Sequence, residues 1–288
     1  MKTLVLPTFA ARSLSSITSE QIETWIAGLV KGGYSPSTVH KAAQLVSGVL
    51  RSAVRARRLA VNPASDVALP TIERPERSFL TAEQIIDLAD AIDPRYRGMV
   101  LLGGFAGLRL GEVCALRGSS FGVGLRSVTV TETVSDVGGY VSIGPPKTRA
   151  SIRTVALPAF LADELRTVPQ LAHRDELVFT APEGGPVRPG HWRRRFWAPA
   201  VKAAGLEGVT FHALRHSQGA LLVEQGEHPL VVARRLGHSS VRTVLDTYGH
   251  VFEGIDLEAA GRLDETFRRS RADRTRTKTV SDLADKRA

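Results

Sequence analysis

The sequence has little sulfur, little lysine and no long apolar run. Cys114 is the single cysteine among 288 residues, which excludes a disulfide framework and a thiolate zinc cage and suits a reducing compartment. No stretch reaches the length of a membrane span, and the N-terminus lacks the apolar core and cleavage site of a secretory signal. The expected location is therefore the cytoplasm, with no membrane partner. There is no internal repeat. Lysine supplies only 7 of the 38 basic residues, and acids number 29, leaving a net charge of +9. A surplus of this size suits a polyanionic partner, nucleic acid or an anionic membrane surface, although a compositional bias towards arginine would produce it as well. Hydrophobic residues make up 43 %, enough to bury one large core or two ordinary ones.

The first segment reads as helical. Thr18-Ser19-Glu20-Gln21, flanked by Ile17 and Ile22, carries a capping box and a hydrophobic staple, and the helix stops at Gly32-Gly33. Ser35-Pro36 starts a second helix, with Val39, Ala43, Val46, Leu50 and Ala53 at helical spacing. From Asn62-Pro63 to Arg77 the chain is rich in proline and charge, as a linker is. Thr81 to Gln84 repeats the capping signature, so a new domain begins near residue 78. Apolar helices follow to Leu116. The period then shortens to two: Val128, Val130, Val134, Val141, Ile143, Ile152, Val155 and Leu157, with turns at Gly138-Gly139 and Gly144-Pro145-Pro146, predict a small antiparallel sheet with Lys147 at or near a hairpin tip. Helices resume at Phe160. Arg188 to Lys202 mixes arginines with Trp192, Phe196 and Trp197 and holds no acid, a pattern that suits a phosphate backbone and equally a helix burying its aromatics. The fold class is mainly α with a small antiparallel β-sheet.

Taken one at a time, the candidate functional residues say little. Arg109, in Gly107-Leu108-Arg109-Leu110-Gly111-Glu112, suits a salt bridge near a helix start. Lys147 suits a solvated turn. His212 and His216 sit four apart on one helical face, as zinc ligands do, yet Ala213 stands where a zinc peptidase needs glutamate. His238 follows Gly237, the stop signal of a helix that begins at Pro229. Tyr248 suits a half-buried core position. Their order is more specific than any one of them: Arg109, Lys147, His212-Ala213-Leu214-Arg215-His216, Leu236-Gly237-His238-Ser239, and Tyr248 ten residues after His238.

This ordered set resembles the tyrosine recombinases, or phage-type integrases, closely over residues 78 to 260 and more loosely over 14 to 70. The resemblance implies a partial helical core-binding domain at 1–70, a linker at 71–77, a catalytic domain at 78–267 and a basic tail at 268–288, the last expected to be disordered alone. It also implies site-specific recombination of double-stranded DNA through a transient 3′-phosphotyrosine, with no cofactor. Tyr248 would be the nucleophile, Arg109, Arg215 and His238 the donors to the phosphate, Lys147 the general acid, and His212 the general base or a support for Tyr248. Glu112 would hold Arg109 or the fold, His216 would stand behind the site, and His250 would have no role. A homotetramer on two DNA sites is implied, with accessory DNA-bending or directionality proteins as further partners, and Leu257, Leu263 and Phe267 as contacts to a neighbouring subunit. A type IB topoisomerase and a DNA-binding remnant remain alternatives, and a metal-dependent hydrolase is a remote one. Two departures from the family pattern stand out. Few residues precede Leu14, which suggests a shortened integrase, with Leu6 to Phe9 resembling the loop after a missing helix. Arg117-Gly118-Ser119-Ser120 replaces a bulky residue and an aspartate.

Overall fold

The computed structural model describes residues 2–72, 79–249 and 260–271. The chain divides into two compact units, Met1–Arg77 and Ser78–Ala288. His250, Leu257 and the tail beyond residue 271 lie outside the described residues.

The first unit is built on α1 (Lys2–Phe9), α2 (Ser19–Lys31) and α3 (Pro36–Arg55). The Thr18 side chain accepts from the Gln21 amide and Ser35 from the Thr38 amide, so each longer helix starts where its capping residue stands. Ile22, Trp25, Ile26 and Leu29 of α2 pack against Val39, Ala42, Val46 and Leu50 of α3, and each large apolar side chain so buried contributes about 1.5–3 kcal/mol. Residues Lys2–Phe9 form a helix where the sequence suggested a loop. Trp25 explains this: its Nε1 donates to the Leu4 carbonyl and its ring meets Phe9 edge-on. These tertiary contacts outweigh the single intrahelical bond that Pro7 removes. The stretch from Asn62 to Pro70 likewise departs from the linker expectation. Asn62 donates to Ser47 Oγ and accepts from the Ala64 amide, His40 Nε2 lies 2.8 Å from the Pro70 carbonyl, and Leu59, Ala64, Val67 and Leu69 cover the helical core.

In the second unit Thr81 and Gln84 cap α4 (Ala82–Ala91) reciprocally. α5 (Arg97–Phe105) is buried on nearly every face, and α6 (Leu110–Cys114) follows a tight turn. Four strands then form two separate antiparallel ladders rather than one sheet: β1 (Ser127–Val130) with β4 (Arg153–Ala156), and β2 (Thr133–Val137) with β3 (Tyr140–Gly144). The hairpin tip between β2 and β3 is Gly138-Gly139. Lys147 lies instead on the connection that leaves β3 for β4 and crosses between ladders. After α7 (Ala159–Leu165), α8 (Pro189–Trp192) runs through a π-helical turn, Arg193–Trp197, into α9 (Ala198–Ala203). Residues five apart on an α-helix point about 140° apart. The wider turn brings Trp192 and Trp197 to one side, stacked at 5.6 Å, with Phe211 against both. Phe211 opens α10 (Phe211–Glu224), which precedes α11 (Pro229–Leu236) and α12 (Arg242–Tyr248). Residues 260–271 are helical and exposed.

The unusual Arg117 to Ser120 segment is locally satisfied. Gly118 donates to the Glu176 carbonyl and Ser119 to the Arg174 carbonyl, while the Arg117 guanidinium reaches Glu132 and the Asp175 carbonyl. A Cβ on Gly118 would stand 2.4 Å from the His173 carbonyl oxygen, a backbone atom that cannot step aside alone. Gly118→Ala is expected to cost about 1–3 kcal/mol, as overpacking does. Urea unfolding checks this, and an unchanged midpoint would show that the segment yields freely.

Candidate active site

The Gly107–Glu112 turn shapes the site from one side. Gly107 has φ +69°, and a Cβ there would meet Gln218 Oε1 and Leu236 Cδ2, both at 2.7 Å. The position therefore needs glycine for both backbone and space. Gly111 lets α6 lie directly on β2, since a Cβ would stand 2.7 Å from Thr133 Oγ1 and from the Val134 carbonyl oxygen. Arg109 precedes α6. Its amide donates to Glu112 Oε2 at 2.8 Å and its Nη1 to Glu112 Oε1 at 2.8 Å.

Glu112 is buried and accepts two further bonds. Arg153 Nη1 and Nη2 donate to Oε1 and Oε2, each at 3.0 Å. Burial alone would push this carboxyl up, but the hydrogen bonds and charges of Arg153 and Arg109 hold it below the usual carboxylate range.

Arg215, on α10, is 1 % exposed. It donates to two backbone carbonyls, Gly107 at 2.7 Å and Leu236, and has no carboxylate partner among the described residues. Its pKa falls to about 9, first through burial and then through the neighbouring charges of Arg109 and Arg153. The Leu236 carbonyl is an orphan acceptor at the end of α11. Gly237 then turns the chain with φ +62° and presents His238. His238 is half-buried, with no hydrogen-bond partner for Nδ1 among the described residues. Burial first, then Arg215, Arg109, Arg153 and His212, lower its pKa to about 4, so near neutral pH the ring is uncharged and carries one N–H donor.

His212 is exposed beside a cleft of about 550 Å³ lined also by Arg109, Arg193 and Thr210. Its ring packs edge-on against His216 at 4.6 Å. His216 Nδ1 lies 3.3 Å from the Tyr248 hydroxyl. Tyr248 is fully buried among residues of α10, α11 and α12, with Phe79 tilted over its ring. Gly219 makes the space, since a Cβ there would come within 2.3 Å of the phenol oxygen. Lys147 is exposed and makes no hydrogen bond or ion pair among the described residues. The structure thus gathers Arg109, Arg215, His212 and His238 by proximity and mutual charge, sets Tyr248 beside them behind His216, and leaves Lys147 on an outer loop.

Sequence reasoning missed Arg153. The signal was there in β4, where Arg153 falls in phase with the inward Val155 while Ile152 is half-exposed. An arginine on the buried phase of a strand is informative because burying it unpaired is costly.

The second unit thus sets Arg109, Arg153 and Arg215 about the Glu112 carboxylate, with Tyr248 on the neighbouring α12 behind His216. The model of the phage integrase family matches residues 78–254, and the chain belongs to that family. The ICEBs1 integrase of Bacillus subtilis is 26 % identical over 270 residues, covering 89 % of this chain and 73 % of that one. Among solved structures, the Tn1549 transposon integrase in complex with transposon right end DNA superposes with a TM-score of 0.72 at 19 % identity, covering 82 % of each chain. A lambda integrase tetramer bound to a Holliday junction gives 0.59 at 17 % identity, covering 84 % of this chain and 67 % of that one.

Two outcomes follow from the geometry. The His238 ring is expected to titrate near pH 4 in the free protein by NMR, and a midpoint near 6.5 would contradict its burial among cations. Because the folded pKa is depressed, its contribution to stability is complete above about pH 6.5 and is lost as pH falls through 4. Gly219→Ala is expected to destabilise the wild-type background by about 1–3 kcal/mol and to cost much less in a Tyr248→Ala background. Equal costs in the two backgrounds would show that Gly219 and Tyr248 are uncoupled.

Proposed function

We propose that the chain performs site-specific recombination of double-stranded DNA by transient attachment of a strand to Tyr248. The observation that carries this reading is the charge balance of the buried cluster. Among the described residues, Arg109, Arg153 and Arg215 stand around a single carboxylate, and Arg215 has only neutral carbonyls as partners. A phosphodiester is the anion such a cluster lacks, and guanidinium forks match its oxygens in geometry as well as charge.

Tyr248 Oη attacks the scissile phosphorus. The P–Oη bond forms as the bond to the 5′-oxygen breaks, leaving a 3′-phosphotyrosine. His212 takes or directs the phenol proton, and Lys147 supplies a proton to the departing 5′-oxygen once its loop swings in. Attack by another 5′-hydroxyl reverses each step and frees the tyrosine. One phosphodiester replaces another, so no nucleotide hydrolysis is needed. Arg109 and Arg215 neutralise the non-bridging oxygens, and His238 donates its N–H to the same group; each preorganised donor of this kind is worth roughly 3 kcal/mol in the transition state.

The family match and the fold support recombination over relaxation by a type IB topoisomerase. The lambda integrase tetramer supports a tetramer on two DNA sites as the working assembly. DNA-bending or directionality proteins would be its further partners. The exposed Leu263 and Phe267 would contact a neighbouring subunit.

The test uses a nicked suicide duplex carrying a site recovered by sequencing recombination junctions from cells that express the chain. Wild type is expected to give a covalent protein–DNA species on denaturing gels. Tyr248→Phe should give none, and Arg215→Ala should slow its formation by about 100-fold or more. An adduct of wild-type yield in Tyr248→Phe would overturn the assignment.

A further inference from the structure

Arg153 joins three pieces of the site that come from distant parts of the chain. Its Nη1 and Nη2 grip both oxygens of Glu112 side by side. Glu112 in turn holds Arg109 through both its amide and its guanidinium. The Arg153 Nε donates to the Arg235 carbonyl at 2.8 Å, and Nη1 also reaches the Ser151 carbonyl at 3.1 Å. Arg235 and Leu236 are consecutive residues at the end of α11, where helix geometry leaves carbonyls without partners. Arg153 takes the first and Arg215 the second. The next two residues are Gly237 and His238. A Cβ on Gly237 would stand 3.0 Å from Arg153 Cδ and 3.0 Å from the Ala150 carbonyl oxygen, so the turn that presents His238 rests directly on this side chain.

We infer that Arg153 is a positioning residue for the phosphate pocket: it sets Arg109, through Glu112, and His238, through the end of α11, in one frame. The inference rests on the strand-transfer reading above. Arg153 makes four donor contacts to three acceptor residues and engages Nε, Nη1 and Nη2 alike, so all three of its nitrogens are committed within the protein. Its effect on chemistry runs through the groups it orients. Lysine carries the same charge but offers one nitrogen, which cannot span both Glu112 oxygens and the Arg235 carbonyl in a fixed fork.

The experiment uses the full chain carrying Arg153→Lys. It measures thermal unfolding, DNA binding by anisotropy, and single-turnover cleavage of the suicide duplex at saturating DNA. Cleavage is measured with the natural bridging oxygen and with sulfur in its place, because a thiol of pKa about 8.5 leaves without a proton donor. The variant is expected to fold and to bind DNA as wild type does, while cleaving about 100-fold more slowly, the scale of a displacement near 1 Å. Sulfur is expected not to restore the rate, since the damage lies at the phosphate rather than at proton delivery. Should Arg153→Lys fail to fold, Glu112→Met with Arg153→Met replaces the buried pair by apolar groups, an exchange that buried ion pairs often tolerate; the same slow cleavage is expected. A folded, DNA-saturated variant cleaving within about threefold of wild type would overturn the inference. So would full rescue by sulfur, which would make Arg153 a support for the Lys147 loop, and so would loss of folding in both variants, which would make it structural alone. If wild type forms no adduct on a verified site, the strand-transfer reading fails first and separately.

Discussion

One buried carboxylate organises this site. Glu112 accepts four hydrogen bonds, one from the Arg109 backbone and three from the guanidiniums of Arg109 and Arg153. Removing a partner from such a cluster leaves an uncompensated buried charge, which costs far more than the intact group contributes. The cluster is under-neutralised as it stands, because Arg215 lies beside it with two carbonyls for company and a pKa drawn down to about 9. A cluster with this surplus of guanidinium charge suits an anion.

The tyrosine is arranged on the opposite principle. Its hydroxyl is shielded by Phe79 and Gly219, with His216 at hydrogen-bond distance, and it is fully buried. Under the role proposed for it, Tyr248 would have to leave this slot to reach a DNA phosphate. α12 is only seven residues long, and its apolar anchors are Val244 and Tyr248 itself. A short, weakly anchored helix is suited to such a move. On the proposed mechanism, keeping Tyr248 sheltered beside the arginine cluster would confine cleavage to assemblies in which α12 has been drawn out.

Much of the fold is legible in the chain because local chemistry decides it. Thr81 with Gln84 caps α4, Ser35-Pro36 opens α3, and Gly237 ends α11, each by a short-range hydrogen bond or backbone preference. Arg109, Arg215 and His238 were legible in another way: each says little alone, and only their order along the chain and the family resemblance it carries point to them. What was not legible depends on distant partners. Lys2–Phe9 is helical because Trp25 holds it, Asn62 to Pro70 is ordered because Ser47 and His40 receive it, and the π-turn exists because two tryptophans five residues apart must share a core. Lys147 sits between ladders because the strands pair as β1 with β4 and β2 with β3, an alternative that alternation cannot distinguish from one sheet. Arg153 was hidden by its neighbour: Ile152 draws attention as the apolar residue, yet the phase of Val155 and Leu157 turns Arg153 inward.

The central claim is that the surplus of buried guanidinium charge is a seat for one phosphodiester. The most direct measurement is a crystal structure of the chain on a nicked recombination site. The account predicts the scissile phosphate with non-bridging oxygens on Arg109 and Arg215, His238 donating to it, and the Tyr248 hydroxyl drawn away from Gly219 into line with the 5′-oxygen. A phosphate seated elsewhere, with Arg215 still bonded only to the Gly107 and Leu236 carbonyls, would contradict it.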